Sequence, residues 1–145
     1  MVKIYFCGSI RGGRELASGY REIIRILGES GKVLTEHLGN DQKIKEKDAL
    51  MADREIHDRD LEWLVESDLV VAEVTVPSLG VGYEIGRAIQ YRKPVLCLFR
   101  ENAGRRLSAM IAGSPDVEVY QYVEPGDLKE KLKEFISRNA ARRIC

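Results

Sequence analysis

The sequence predicts an α/β protein of 145 residues that folds as a single domain around a doubly wound, parallel, five-stranded sheet. Two observations lead to this prediction. Short apolar runs alternate along the chain with longer segments in which apolar residues recur at helical spacing. The first of these runs carries apolar side chains on both faces, which is typical of a central parallel strand. No internal repeat or linker divides the chain, so we expect residues 1–145 to form one unit.

The first predicted strand, residues 2–7, ends at the glycine-rich turn Gly8-Ser9-Ile10-Arg11-Gly12-Gly13. A helix over residues 14–29 follows, because its apolar side chains keep helical spacing until the natural stop at Gly31. Residues 32–36 are predicted to be the second strand. The polar, lysine-rich stretch 39–48 has no clear period, and we interpret it as a mobile loop near the functional site.

The second half of the chain repeats the alternation. A long helix is predicted over residues 49–66, and the third strand over residues 69–74. A second glycine-rich turn then opens a helix that reaches Gln90. The remaining predicted elements are strands 94–99 and 117–122, a short helical piece at 107–112 and a closing amphipathic helix at 127–138. Strands alternating with helices imply right-handed crossovers and, by class, a flavodoxin-like strand order.

Composition and charge exclude several classes of function. Lys+Arg and Asp+Glu both number 23, so the net charge is zero and the basic surface of a nucleic-acid-binding protein is missing. The sequence shows neither a bilayer-spanning apolar segment nor a signal-peptide pattern, so we expect a cytoplasmic protein without a membrane partner. The three cysteines form no CxxC pair, and Asp53 with His57 is too small a ligand set to predict a metal.

The stretch after the third predicted strand is typical of an anion-binding turn, because a helix that follows a glycine-rich turn aims backbone N–H groups at an anion. Gly80 and Gly82 leave room for a ligand to approach the main chain, and Ser78 is either a helix N-cap or a phosphate donor. Glu84 falls near the helix start, where the helix dipole favours an ionised carboxylate. This pattern indicates a nucleophile beside a bound phosphate. A plain helix start with a favourably placed Glu is the alternative.

Both glycine-rich turns follow predicted strands, so they are expected to face each other across one crevice at the carboxyl ends of the strands. Arg11 in the first turn is suited to phosphate, or is a solvated loop charge. Asp60 lies on the apolar stripe of the long helix, where burial would raise its pKa toward a proton-donating role. A structural Asp paired with an arginine is the alternative. Tyr5 either reaches the crevice or is an interior tyrosine.

Several stretches together resemble the 2′-deoxynucleoside 5′-phosphate N-hydrolases of the nucleoside 2-deoxyribosyltransferase superfamily. The resemblance covers nearly the whole chain in the same order, and weakens over residues 39–48 and after Tyr122. The stretches that carry it are Tyr5-Phe6-Cys7-Gly8-Ser9-Ile10-Arg11-Gly12-Gly13-Arg14, Val33-Leu34-Thr35-Glu36-His37, Asp60-Leu61-Glu62-Trp63-Leu64, Pro77-Ser78-Leu79-Gly80-Val81-Gly82-Tyr83-Glu84, Leu96-Cys97-Leu98-Phe99-Arg100 and Leu107-Ser108-Ala109-Met110-Ile111.

The resemblance implies a flavodoxin-like homodimer, without metal or cofactor, that cleaves the bond between base and deoxyribose in 2′-deoxynucleoside 5′-monophosphates. It implies that Glu84 attacks the anomeric carbon, that Tyr5 hydrogen bonds near that carboxylate and that Asp60 protonates the departing base. Ser108 would reach the phosphate bound by the neighbouring subunit. The sugar phosphate would be held by Gly8, Ile10, Arg11, Gly12, Ser78 and Gly80.

Two other functions fit the same residues. A transferase would use a second base in place of water, and a nucleotide-binding module would use the phosphate turns without chemistry. The expected phosphate contacts favour the hydrolase over the transferase, since they indicate phosphorylated substrates. The pairing of Glu84 with Asp60 disfavours a module without chemistry.

Overall fold

A sheet of five parallel strands in the order β2-β1-β3-β4-β5 forms the centre of the computed structural model, which describes residues 1–9, 17–101 and 103–144. This is the predicted doubly wound sheet with the flavodoxin-like order, so the fold class is confirmed. The strands are Lys3–Gly8 (β1), Lys32–Val33 (β2), Leu69–Glu73 (β3), Val95–Arg100 (β4) and Glu118–Tyr122 (β5).

Helices cover both faces of this sheet. They are Ala17–Gly28 (α1), Asp41–Asp48 (α2), Asp53–Glu66 (α3), Leu79–Gln90 (α4), Ala109–Ala112 (α5) and Lys129–Ala140 (α6). Short 3-10 helices occupy Glu36–Gly39, Pro125–Leu128 and Ala141–Ile144. Within the described part of the chain, none of the helices has the length and apolar character that crossing a bilayer requires.

The core divides into two layers because successive side chains of a strand point to opposite faces of the sheet. In β1, Ile4 and Phe6 pack under α1 and α6. Tyr5 and Cys7 lie on the other face, in the layer formed with α3 and α4. Tyr5 is therefore on the side of the sheet that carries both candidate carboxylates.

Strand β2 is shorter than the predicted strand 32–36, because a side chain takes over the hydrogen bonds of the missing residues. Leu34 N–H still donates to the Ile4 carbonyl at 2.9 Å. At the next position, Thr35 Oγ1 accepts from Phe6 N–H at 3.0 Å and donates to the Phe6 carbonyl at 2.6 Å. The chain can then leave the sheet and turn into a 3-10 helix without leaving the backbone groups of Phe6 unpaired.

Two predictions for residues 39–66 were wrong. The stretch interpreted as a loop contains helix α2, whose first N–H groups are capped by Asn40 Oδ1, at 3.0 Å from Gln42 N and 3.1 Å from Lys43 N. The long helix predicted from residue 49 starts only at Asp53, because Ala52 is extended at its N-cap position. A polar cap and side-chain pairs support α2 although its sequence lacks an apolar stripe.

Candidate active site

The two glycine-rich turns line one cleft of about 400 Å³, as predicted. The first turn contributes Gly8 and Ser9, the two of its residues that the structure describes. Strands β1 and β3 are neighbours, and Gly8 at the end of β1 lies beside Glu73 at the end of β3. This is the point where the strand order switches direction, and ligands of open α/β sheets bind there. The cleft is lined by Gly8, Ser9, Pro77, Ser78, Leu79, Gly80, Val81 and Glu84. Of the expected phosphate contacts, Ile10, Arg11 and Gly12 lie outside the described residues.

Close packing against Tyr20 explains the glycine at position 8. A Cβ atom built there would come within 2.8 Å of the Tyr20 ring, which also packs edge-on against Phe6. A larger residue would require the Tyr20 side chain or the end of β1 to shift. Gly8 therefore brings the start of the first turn close to the sheet, beside the cleft.

Helix α4 begins at the cleft with its N-cap in place. Ser78 is extended, and its Oγ accepts a hydrogen bond from Val81 N–H at 3.3 Å. An accepting hydroxyl keeps its own proton, so Ser78 can cap the helix and still donate to a ligand oxygen. A Cβ at Gly80 would meet only Ser78 Oγ, at 3.8 Å. The bare glycine lets a ligand approach the first N–H groups of α4, which have no partner within the helix.

Glu84 is paired with Tyr5 inside this cleft. The Tyr5 hydroxyl donates to Oε2 of Glu84, and the tyrosine itself is buried in the sheet. Burial raises the pKa of Glu84 to about 7, an effect that the Tyr5 hydrogen bond opposes and the charge of Asp60 reinforces. With a pKa near 7, Glu84 is only partly ionised at neutral pH, so the helix start alone does not keep this carboxyl group charged. Glu84 lies in the second turn of α4, beyond the reach of the helix dipole, so desolvation dominates.

Asp60, on α3, lies near enough to Tyr5 and Glu84 for its charge to act on both, although it does not line the cleft itself. Burial raises its pKa, as predicted, while the neighbouring Arg59 guanidinium opposes that rise. Its negative charge in turn raises the pKa of Tyr5 and of Glu84. The two surroundings expected for Asp60 occur together, since the carboxyl is partly buried and is also paired with an arginine.

Ser108 lies in a second cleft, of about 380 Å³, on the other side of the turn at 77–81. Its hydroxyl caps the short helix α5 by accepting from Met110 N–H at 3.3 Å, and the residue is exposed. Ser78 lines both clefts, whereas Glu84 lines only the first. Within one chain, Ser78 and Ser108 both line the second cleft, but Ser108 does not line the first cleft, which holds Glu84.

Two side-chain networks near the site have partners that the sequence did not identify, although it offered an arginine partner for Asp60 and an orienting role for Glu73. Arg59 binds both Asp60 and Asp48, and the adjacent Arg-Asp pair in the sequence was the available signal. Glu73, fully buried at the end of β3, accepts hydrogen bonds from the Tyr122 hydroxyl and, at 2.6 Å, from Thr75 N–H. This second network ties the end of β3 to β5, and only the sheet order brings those residues together.

Histidines and carboxylates form no metal site among the residues that the structure describes. His57 is exposed, with Nε2 at 2.8 Å from the Tyr83 hydroxyl and Nδ1 at 2.9 Å from Asp58. His37 is buried and packs against the Trp63 ring.

The chain matches a known protein family over nearly its whole length. The profile of the nucleoside 2-deoxyribosyltransferase family matches residues 4–139. The chain belongs to this family. The resemblance seen in the sequence motifs is thereby confirmed, and the cleft between the two glycine-rich turns is the candidate active site of a family member.

Individual relatives extend over almost all of the chain. The 5-hydroxymethyl-dUMP N-hydrolase of Esox lucius is 53% identical over 137 residues, which cover 93% of this chain and 92% of the relative. The human protein of the same name is 50% identical over 146 residues, covering 98% of this chain and 83% of the relative. A solved CMP N-glycosidase of Clostridium botulinum superposes with a TM-score of 0.65 over 91% of this chain and 98% of its own, at 20% identity. That last likeness supports the fold alone.

Proposed function

We propose that this family member hydrolyses the N-glycosidic bond of 2′-deoxynucleoside 5′-monophosphates, releasing the base and 2-deoxyribose 5-phosphate. The observation that carries the proposal is the hydrogen bond from Tyr5 to Glu84 in a cleft bounded by both glycine-rich turns, with Asp60 close enough to shift the pKa of Glu84. The names of relatives at about half identity, which describe nucleotide N-hydrolases, support the same reaction.

In the first step, ionised Glu84 attacks the anomeric carbon. Because Tyr5 occupies Oε2, the attacking oxygen is Oε1. The bond from C1′ to the base nitrogen breaks as the new C1′–O bond forms, and the proton held by Asp60 moves to the departing base. The products are a sugar ester on Glu84 and an ionised Asp60.

In the second step, Asp60 takes a proton from a water molecule whose oxygen attacks C1′. The ester bond breaks, and 2-deoxyribose 5-phosphate leaves with its anomeric configuration retained. Glu84 is again ionised and Asp60 again protonated. The Tyr5 hydroxyl stabilises the carboxylate of Glu84 as it leaves, since a donor favours the charged form.

The turns at the cleft supply the phosphate site of the proposal. Ser78 and the first N–H groups of α4 face the ligand from one side, with Gly80 providing access. Arg11 in the first turn supplies the positive charge in this proposal. A substrate phosphate held here places the sugar beside Glu84, because Glu84 lines the same cleft as Ser78 and Gly80.

Product analysis tests the reaction directly. The protein is incubated with a panel of deoxynucleoside monophosphates that includes 5-hydroxymethyl-dUMP, with and without a second free base, and Glu84→Gln is the control. Free base and 2-deoxyribose 5-phosphate in equal amounts are the expected products. An exchanged base would identify a transferase, the reaction in the family's name. Binding without turnover would leave only a nucleotide-binding role.

We further propose that the active protein is a homodimer in which Ser108 completes the phosphate site of the neighbouring subunit. The support is that Ser108 is exposed and lies outside the cleft of its own Glu84. Apolar side chains around the second cleft are also uncovered, with Leu79 97% and Met110 82% exposed. Exposed apolar side chains gathered at one place mark an interaction surface.

Mixing two impaired variants tests the shared site. Ser108→Ala should lower activity on monophosphates by about 10-fold or more, because a charge-assisted hydrogen bond is worth roughly 1.5–3 kcal/mol. After exchange of subunits, a mixed dimer of Ser108→Ala and Glu84→Gln has one site with both defects and one with neither. Activity should therefore reappear. A mixture that stays at the level of the Ser108→Ala parent after proven exchange would assign Ser108 to its own subunit.

A further inference from the structure

The guanidinium of Arg59 lies between two carboxylates that come from different helices. Its Nη1 is 2.8 Å from Oδ1 of Asp48, at the end of α2. Its Nε and Nη2 lie 3.0 and 2.9 Å from Oδ1 of Asp60 on α3. The three side chains are largely shielded, with 16% of Arg59, 17% of Asp48 and 27% of Asp60 exposed.

Further contacts fix the plane of this arginine. Its guanidinium carbon lies 4.9 Å from the centre of the Trp63 ring, and Nη1 is 3.3 Å from the sulfur of Met51. A guanidinium is planar and presents its donors in a fixed fork, so a ring contact sets the direction of every N–H group. The position of Arg59 is therefore determined by α3 and by the link between α2 and α3.

The contacts to Asp60 are one-sided. Both donors of Arg59 bind Oδ1, and Oδ2 has no hydrogen-bond partner among the residues that the structure describes. A carboxyl group held in this way carries its proton on the second oxygen, because the first already accepts a hydrogen bond from Nε and faces Nη2 of the same guanidinium. The geometry thus separates the oxygen that is held from the oxygen that can give up a proton.

We propose that Arg59 is a positioning residue for Asp60: it holds Oδ1 of Asp60, so that Oδ2 carries the transferred proton. Asp48 binds the same guanidinium and thereby weakens the interaction of Arg59 with Asp60. The inference deepens the proposed function, because it assumes that Asp60 is the acid of that reaction. It also gives helix α2 a role in the chemistry, because Asp48 acts on Asp60 by way of Arg59.

Charges on every element around Asp60 bear on its protonation. Arg59 and His57 lower its pKa, and Asp48 raises it. The charge of Asp60 also acts on three groups of β1 and α4, which are Tyr5, Cys7 and Glu84. Removing Arg59 and removing Asp48 should therefore move the titration of Asp60 in opposite directions, whereas loss of a purely structural link between α2 and α3 has no reason to do so.

Carbon-13 NMR of the Asp60 carboxyl group in the ligand-free protein tests this link without any substrate. Arg59→Met should raise the midpoint of its titration by about one pH unit, since an adjacent cation depresses a carboxyl pKa by roughly that much or more. Asp48→Asn should lower it. Arg59→Lys keeps the charge and should stay nearer to wild type. Arg54→Met is the matched control, because Arg54 lies on the same helix, is 92% exposed and pairs only weakly, at 3.6 Å, with Asp58.

Turnover supplies the second readout. Arg59→Lys keeps the cation but loses the fork, so kcat should fall about 10-fold with little change in KM, while Arg54→Met keeps the wild-type values. An unchanged Asp60 titration in both Arg59→Met and Asp48→Asn would overturn the proposal. So would a wild-type kcat in Arg59→Lys. Absence of turnover in the wild-type protein would instead reject the proposed function, and the NMR titrations would still decide whether Arg59 and Asp48 control Asp60.

Discussion

The two candidate catalytic carboxyl groups, Glu84 in the cleft and Asp60 on α3, have different partners. Glu84 is bound by a neutral hydroxyl, that of Tyr5, at the inner wall formed by β1 and α4. Asp60 is bound by a cation, Arg59, which also binds Asp48 of α2, and we call this side of the site the outer wall. Burial raises the pKa of both groups, so depth alone does not distinguish them. The two groups differ in what opposes that rise, which is a neutral hydrogen-bond donor at Glu84 and a cation at Asp60.

The largest expected effect comes from removing the carboxylate at the inner wall. Glu84→Gln keeps the shape of the side chain and can still accept a hydrogen bond from Tyr5, but it is a far weaker nucleophile. We expect kcat for deoxynucleoside monophosphates to fall by at least about 10³-fold, because loss of a nucleophile removes the covalent route. Product release followed by chromatography measures the change. Activity above a few per cent of wild type would remove Glu84 from this role.

The stability of the same variant tests the surroundings of Glu84. Its pKa rises from 4.5 to about 7 on folding, so its contribution to stability is full below pH 4.5 and is lost as the pH rises through 7. Glu84→Gln does not titrate. The free energy of unfolding of the variant relative to wild type should therefore increase between pH 4.5 and 7, by up to about 3 kcal/mol, and stay constant above. Urea unfolding at a series of pH values measures this difference, and a flat difference would contradict a buried Glu84.

The next largest effect is expected at the outer wall. Asp60→Asn cannot donate a proton of the same acidity, so hydrolysis of dGMP should slow by about 10²–10³-fold. The base of 7-methyl-dGMP is already cationic and leaves without being protonated. Its hydrolysis should therefore change far less in the same variant. Equal losses on both nucleotides would show that Asp60 positions the substrate instead of acting as the acid.

Much of this arrangement could be predicted from local patterns. Glu84 and the first turn could be placed because glycine-rich turns after apolar runs lie at the carboxyl ends of parallel strands. Asp60 could be placed because it interrupts an apolar stripe of helical period. Both inferences use neighbours within a few positions in the sequence. The sheet order then brings Glu84 and the first turn to one cleft, with Asp60 close enough to raise the pKa of Glu84.

The parts that could not be predicted depend on contacts between distant residues. The elevated pKa of Glu84 reflects how deeply α4 packs on β1, which the position of a residue in its helix does not reveal. Helix α2 was not predicted because it has no apolar stripe, and the hydrogen bond from its first turn to Asn40 is visible only in the structure. The early end of β2 depends on Thr35, whose hydroxyl replaces backbone pairing with Phe6.

The smallest expected effect on rate separates the two walls by their pH dependence. Tyr5→Phe removes the hydrogen bond that lowers the pKa of Glu84, while burial and the charge of Asp60 still raise it. The pKa of Glu84 should rise further, and since the ionised form attacks, the acidic limb of kcat/KM should move to higher pH. We expect a loss of about 10-fold or more at neutral pH that diminishes as the pH rises above the new limb. The substrate phosphate titrates in both proteins alike, so the difference between the two profiles reports on the enzyme. A limb that stays in place while the rate falls equally at every pH would assign Tyr5 to packing or to the transition state, and would leave the protonation of Glu84 to burial alone.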